Sequence, residues 1–462
     1  MTISPNLIKE FKNFLGAENV LTEETDLLSY AYDAAVLHQV IPGLVIIPTN
    51  EELLSNSIKL SYENSLPITV RGSGTNLSGA VIPDSSETVV ILTNKLNKIL
   101  EINKEDLYAV VEPGVLTAKF AAAVAAEGLF YPPDPGSQTV STLAGNVALN
   151  AGGLRGLKYG VTKDYLMGIE FFDHEGQLIK TGSKTVKCVT GYNIGGLMIS
   201  SEGTLGVFSK IIFKLIPPPK ASQAMMAVYP TVQGASETVA AIIAAHILPC
   251  TLEFIDQKSI KVIEANSKIG LPTEAGAILL IEVDGGNQVG VNEDAAKVKE
   301  LCAKCGANDI RVARDAEEKT KIWEARRSAL PALARARPST VLEDATVPRS
   351  KIPQMVSELN RIADKYKLEM GTFGHAGDGN LHPTILCDRR NVQEFKRVEE
   401  AIDEIFDVAI KLQGTLSGEH GIGLAKTKWM EKETNKATVE FSRRLRTALD
   451  PKYLFNSRKK IQ

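Results

Sequence analysis

Pro217, Pro218 and Pro219, followed by Lys220, interrupt the chain near its middle. Proline has no N–H to donate and its ring clashes with the carbonyl one turn back, so neither a helix nor a central strand runs through such a triplet. The elements on either side are therefore separate runs. Before it, strand and helix signals alternate: LVIIP, the polar-capped TNEELLSNSIKLSYENS, LPITVRG, TVVILT (88–93), LYAVVEPG (107–114), the alanine-rich LTAKFAAAVAAEGL (116–129) and LGVFSKIIFKLI (205–216). That alternation predicts a two-part α/β domain over residues 1–216, opened by a helix in MTISPNLIKEFKNFLG. After the prolines come the strand AMMAVYP, the helix ASETVAAIIAAHI, the strands CTLEFID and AILLIEVDG, the helix DAAKVKELCAKC and the strand DIRVARD. This β-α-β-β-α-β order predicts an antiparallel sheet with helices on one face over residues 221–415. A further stretch runs from VLEDATVP (341–348) through a helix at 350–367 to strands near 370 and 383. Residues 416–462 form a C-terminal helical segment, and the predicted class is α+β.

With 462 residues the chain is too long for one ordinary core. A net charge of −3 provides no basic field for nucleic acid. The opening residues have neither the apolar centre nor the small-residue cleavage site of a signal peptide, and no apolar run reaches the roughly 18 residues of a membrane span, so the expected location is the cytoplasm. Five cysteines, an odd number, argue against a disulfide framework. Cys302 and Cys305 form a C-x-x-C, but Val298, Leu301, Cys302 and Cys305 recur at helical spacing ahead of Gly306, the pattern of a buried helix face with its cap.

Three glycine-rich segments stand out in the first half. RGSGTNLSG (71–79) follows a strand, and its glycines and small hydroxyl residues let backbone N–H groups converge on an anion. No G-K-[ST] follows, and G-x-G-x-x-G is absent, which excludes a Walker loop and a nicotinamide fingerprint. PPDPGSQTVSTLAGNVALNAGGLRG (132–156) predicts a helix starting near Ser141 and Thr142 and ended by Gly152 and Gly153. A helix N-terminus beside a glycine loop seats a diphosphate. TGYNIGGLMISSEGTLGVFS (190–209) adds further glycines with Tyr192 and Glu202. Together they predict a large dinucleotide lying along the domain.

FGHAGDGNLHP (373–383) places His375 at the end of one strand and His382 at the start of the next, around a Gly-Asp-Gly turn in which Asp378 is a turn former. SGEHGIG (417–423) adds Glu419 and His420. A hairpin can bring two imidazoles to one side of its mouth, and a carboxylate would complete a two-histidine, one-carboxylate set with open positions, as on zinc or iron. Plain turn histidines are the alternative, and the spacing leaves both open. A metallohydrolase using the same set is a further alternative.

RGSGTNLSG, PDPGSQTVSTLAGNVALNAGG, TGYNIGGLMISSEGTLGV, FGHAGDGNLHP and SGEHGIG, in that order over nearly the whole chain, resemble the FAD-linked oxidases of the vanillyl-alcohol oxidase type. Within them they are most similar to the group that comprises the flavin-binding chain of glycolate oxidase, D-lactate dehydrogenase and D-2-hydroxyglutarate dehydrogenase. The resemblance implies that residues 1–216 bind FAD. Arg71, Gly72, Ser73, Gly74, Thr75, Asn76 and Ser78 would hold the diphosphate with Pro135, Gly136, Ser137, Ser141, Thr142, Gly145, Asn150, Gly152 and Gly153. Tyr192, Glu202, Gly206 and Val207 would lie along the ribityl chain and flavin ring. Some relatives attach FAD through a histidine in the first loop; this loop has none, which implies non-covalent FAD. The family's Asn-Pro-Gly-Lys tail is here Asn456, Ser457, Arg458 and Lys459, leaving Asn456 as the tail's candidate flavin contact.

The resemblance further implies a divalent metal (zinc, iron or manganese) on His375, His382 and Glu419, a substrate or cap domain in 221–415, and a C-terminal segment that returns to the flavin. His420 would then take the substrate's hydroxyl proton, a role that suits a histidine side chain as general base. A fourth metal ligand or a donor to the ligands is its alternative role. Trp323, Arg326, Arg327 and Leu330 share a face in IWEARRSAL, with Arg326 the implied anchor for the substrate carboxylate and Arg327 structural or at the rim. Asp344 stays outside the assigned set. The implied activity is oxidation of D-lactate to pyruvate by hydride transfer to flavin N5, with glycolate or D-2-hydroxyglutarate as alternatives. The chain lacks the clustered cysteines of an iron–sulfur centre, so electrons are expected to pass to a protein partner, an electron-transfer flavoprotein or an iron–sulfur protein.

Overall fold

The computed structural model of the protein describes residues 3–36 and 39–461. These form two compact units, one of Met1–Ala151, Val161–Pro218 and Glu419–Gln462, the other of Gly152–Gly160 and Pro219–Gly418. Among the described residues no helix is long and apolar enough to cross a membrane.

The first unit holds two sheets. β1 (Val20–Leu21), β2 (Leu44–Ile46), β3 (Ile68–Arg71) and β4 (Val89–Leu92) pair in the order β1-β2-β4-β3, with β2 and β3 parallel to β4. β4 is apolar and buried along its whole length because both faces of this sheet are covered. Leu44, Ile46, Val89 and Ile91 pack on one side among residues of helices Pro5–Leu15 and Glu51–Glu63, and Val45, Val90 and Leu92 pack on the other. Asn50 fixes the start of the second helix by accepting from the Leu53 N–H at 2.9 Å.

β5 (Ile99–Asn103), β6 (Tyr108–Val111), β7 (Leu166–Phe172), β8 (Leu178–Gly182) and β9 (Val207–Lys214) make the second sheet, in the order β5-β6-β9-β7-β8. It is antiparallel throughout, a register that alternating strand and helix signals do not disclose. Helices Thr117–Ala126 and Leu143–Leu149 close over it around Phe120, Tyr131 and Phe213. The chain's end is bound into this unit through Arg446, whose guanidinium donates to the carbonyls of Phe455, Asn456, Lys459 and Ile461. Lys459, fully buried, pairs with Asp84 at 2.6 Å.

The second unit is built on one eight-stranded sheet: β10 (Ala221–Tyr229), β11 (Thr251–Asp256), β12 (Ala277–Gly285), β13 (Asp309–Val312), β14 (Ser339–Leu342), β15 (Ala345–Thr346), β16 (Glu369–His375) and β17 (Asn380–Cys387). The order is β13-β10-β12-β11-β16-β17-β14, with β15 also on β17 and every pair antiparallel. Side chains alternate. Met225, Ala227 and Tyr229 face helices Val232–Ala244, Gln288–Lys304, Ile352–Tyr366 and Val392–Lys411. Met226 and Val228 face the other way, against helices Gln257–Ser267 and Ala316–Ala336. The strand-helix order anticipates helices on one face only. The Gln257–Ser267 helix, mostly polar and capped by Asp256, joins Ala316–Ala336 on the opposite face, and that face carries the site described next.

Candidate functional site

In β16 and β17 Phe373 lies opposite His382, and His375 opposite Asn380. His375 is two residues beyond Phe373, so both imidazoles project from the same face as diagonal neighbours. Their ring centroids are 5.2 Å apart and the planes near-perpendicular at 89°. Both side chains are buried. The Asp378 and Gly379 N–H groups donate to the His375 carbonyl, closing the turn, and Gly379 takes a left-handed φ of +84° where a Cβ would strike the Val347 carbonyl.

Glu253 on β11 is the register partner of His375. Fully buried, it spends one oxygen on each of two partners: Oε1 lies 2.6 Å from His375 Nδ1, and Oε2 accepts from Arg326 Nε at 2.5 Å. Burial alone would raise this carboxyl, but His375 and Arg326 beside it hold it below its ordinary value. Arg326 comes from the Ala316–Ala336 helix and lies over the Phe373 ring at 4.7 Å. Arg327 is exposed and donates to the Thr320 carbonyl, so the shared helix face expected for the two arginines divides between sheet and solvent. Trp323 donates its indole N–H to Glu282.

A ring nitrogen of His382 lies within 4.8 Å of one on His375 and of a carboxylate oxygen of Asp344. Asp344, fully buried, accepts from Asn380 Nδ2 and from Ser417 Oγ. Thr415 N–H donates to the Thr346 carbonyl at 2.9 Å, so residues 415–418 are fixed beside β15 and β17 up to the point where the chain leaves this unit. Sequence reasoning missed Glu253 and left Asp344 aside. The signal for each was an acid within an apolar strand context, LEFID and VLEDATVP.

In the first unit the first two glycine-rich segments meet. A Cβ on Gly72 would strike Thr142 Oγ1, and one on Gly74, at φ +73°, would strike the Arg71 guanidinium. Thr142 caps the Leu143–Leu149 helix by accepting from the Gly145 N–H, and Asn150 in the left-handed region ends it, ahead of the glycine pair expected to do so. Gly152 and Gly153 belong to the second unit. Among the described residues none accepts from the backbone N–H groups of Ser73, Gly74, Thr75, Asn76 or Leu77. Five consecutive donors with no acceptor among the described residues could hold a diphosphate. Pro135, Ser141 and Thr142 are buried, Ser137 half-buried and Gly136 exposed. Arg71 is buried, donates to the Tyr32 carbonyl and stands near Asp33, whose carboxyl burial pushes up to about 6.

Glu202 ties the third segment to the second histidine loop. Its carboxylate accepts from the Ile422 N–H at 2.9 Å and the Gly423 N–H at 2.7 Å, and Lys460 stands 3.3 Å away. Both oxygens are therefore engaged by the loop that begins with Glu419 and His420. Asn76 Nδ2 donates to the His420 carbonyl at 3.3 Å, and the Ser78 carbonyl accepts from the Leu424 and Ala425 N–H groups. Asn456 joins the same knot: Oδ1 accepts from the Val70 N–H, and Nδ2 donates to the Ala80 and Glu202 carbonyls. Gly206 and Val207 are buried, whereas Tyr192 is 92% exposed.

Comparison with known proteins identifies the family of the chain. Residues 42–182 match the family described as FAD binding domain, and residues 218–460 match FAD linked oxidases, C-terminal domain. The chain is 47% identical over 441 residues to glycolate oxidase subunit GlcD of Bacillus subtilis (strain 168), covering 96% of this chain and 93% of that protein. It is 31% identical over 467 residues to a D-lactate dehydrogenase of Anaerostipes hadrus, covering 98% and 97%. Among solved structures, p-cresol methylhydroxylase with substrate bound superposes with a TM-score of 0.81 at 17% identity, over 98% of this chain and 95% of that one, a likeness of fold. The chain belongs to the FAD-linked oxidases and is an FAD-dependent oxidoreductase.

Proposed function

We propose that this protein oxidises a small 2-hydroxy acid to the 2-oxo acid, with glycolate as first substrate and D-lactate as second. The single observation that carries this reading is the buried His375–His382 pair with Glu253 and Arg326 on one sheet face, in a chain whose relatives are named for these two acids. The higher identity to the glycolate oxidase relative favours glycolate over D-lactate.

FAD would be held non-covalently, its diphosphate on the N–H groups of residues 73–77 and the Thr142-capped helix. Bound FAD supplies the acceptor for the hydride that leaves C2. A divalent ion would be held by His375, His382 and Glu419. The donor set fits: Glu253 at Nδ1 leaves the Nε2 lone pair of His375 for coordination, and two imidazoles with one carboxylate leave positions open. Such an ion, when bound, supplies Lewis acidity toward the substrate's hydroxyl.

Arg326 would grip the substrate carboxylate through the guanidinium edge not used on Glu253, which suits a planar fork better than the exposed Arg327. His420 would take the hydroxyl proton, its main chain steadied by Asn76 and the following loop by Glu202. We place the enzyme in the cytoplasm, passing electrons to a protein acceptor. Steady-state reduction of an artificial electron acceptor tests the substrate reading. Turnover with glycolate and D-lactate, and none with L-lactate, is expected. Activity confined to D-2-hydroxyglutarate would overturn the choice of substrate.

A further inference from the structure

We infer that Glu253 is a positioning residue that sets two working groups at once, the coordinating nitrogen of His375 and the plane of Arg326. The inference rests on the reading of the site given above. Glu253 has no exposed surface, and a carboxylate withdrawn from water is costly unless its charge and lone pairs are matched. Here each oxygen has its own partner. Oε1 is 2.6 Å from His375 Nδ1, and Oε2 accepts from Arg326 Nε at 2.5 Å.

The geometry assigns separate consequences to the two bonds. A proton held on Nδ1 by the carboxylate fixes the imidazole tautomer and turns its Nε2 lone pair outward. A bond to Nε, rather than to the outer nitrogens, ties the guanidinium at its inner edge and leaves Nη1 and Nη2 for a ligand. The Phe373 ring, 4.7 Å beneath, sets the plane. Because β11 and β16 are adjacent and Glu253 is in register with His375, the carboxylate reaches one partner across the ladder and the other from the helix above. A simple structural ion pair would need only one of them. Loss of Glu253 is therefore expected to weaken metal binding and carboxylate binding together, without touching either ligand.

The test compares wild type with Glu253→Gln, Glu253→Asp and Arg326→Lys, each as full-length flavin-loaded protein. Zinc affinity is measured by competition with a chromophoric chelator, and KM and kcat for glycolate by steady-state kinetics. Both Glu253 variants are expected to lose about 10- to 100-fold in zinc affinity and to show a raised KM, at unchanged flavin content. Arg326→Lys should raise KM while leaving zinc affinity as in wild type. Should Glu253→Gln fail to fold, Glu253→Asp, which keeps the charge but is one methylene too short to span both partners, decides the matter. Wild-type zinc affinity and KM in a folded Glu253 variant would overturn the inference. Wild-type protein that binds no zinc would instead count against the metal reading, and the KM comparison would then decide whether Glu253 positions Arg326.

Discussion

Glu202→Ala is expected to cost stability and activity together. The carboxylate accepts two backbone N–H groups, of Ile422 and Gly423, and is itself buried at 3% exposure. Removing it takes the acceptor from both donors, and Gly423 is buried. A buried donor left unsatisfied costs about 1–3 kcal/mol. Lys460, at 3.3 Å, also loses its partner, but it is partly solvated and adds little. For two donors the loss is about 2–6 kcal/mol, a fall of several degrees in the thermal midpoint. His420 lies two residues before Ile422, so slack in the loop moves the proposed base, and a displacement of about 1 Å in a reacting group costs roughly 100-fold in rate. Thermal denaturation and steady-state kinetics on Ala and Gln variants measure both quantities. Glu202→Gln retains one acceptor and should fall between wild type and Ala. An Ala variant with a wild-type midpoint would refute the hydrogen-bond argument. A lowered midpoint with unchanged kcat would refute the link from loop to base.

Gly72→Val should drive a side chain into Thr142, the cap of the Leu143–Leu149 helix, and so lower both the midpoint of the flavin-free protein and the flavin content of purified protein, read as the ratio of visible to ultraviolet absorbance. Equal flavin content would show that the loop and helix cap do not meet in the bound form. The Asp33 carboxyl is pushed up to about 6 by burial, above its unfolded value, so its stabilising contribution is full at low pH and lost as pH rises through 6. Flavin-free wild type should therefore lose about 1 kcal/mol between pH 5 and 7 through this group, and Asp33→Asn should remove that slope. Parallel pH profiles would rule it out. Dialysis against a chelator should abolish glycolate turnover while flavin remains bound, with zinc, iron or manganese restoring it. Full turnover in rigorously metal-free protein would exclude the metal.

The hairpin histidines were legible because strand alternation and a Gly-Asp-Gly turn are local facts, and they put His375 and His382 on one face wherever the hairpin lies. The glycine segments were legible for a similar reason: the positive φ at Gly74 and the close approach at Gly72 are needs only glycine meets. Glu253 was not legible, since its partners His375 and Arg326 lie far along the chain and an acid in LEFID has no local signature. Asp344 was set aside for the same reason, its partners being Asn380 and Ser417. Glu202 was read as a cofactor contact; that its oxygens accept from the loop at 422–423 is a pairing no spacing rule reveals. The Gln257–Ser267 helix escaped because it is short and polar on its outer side, yet it shares with the Arg326 helix the sheet face that carries both histidines.

The most direct measurement is the visible spectrum of metal-replete protein under anaerobic conditions, before and after glycolate, D-lactate or L-lactate. The account predicts flavin bands that bleach with glycolate and with D-lactate and persist with L-lactate. Flavin bands that persist with all three acids would contradict it.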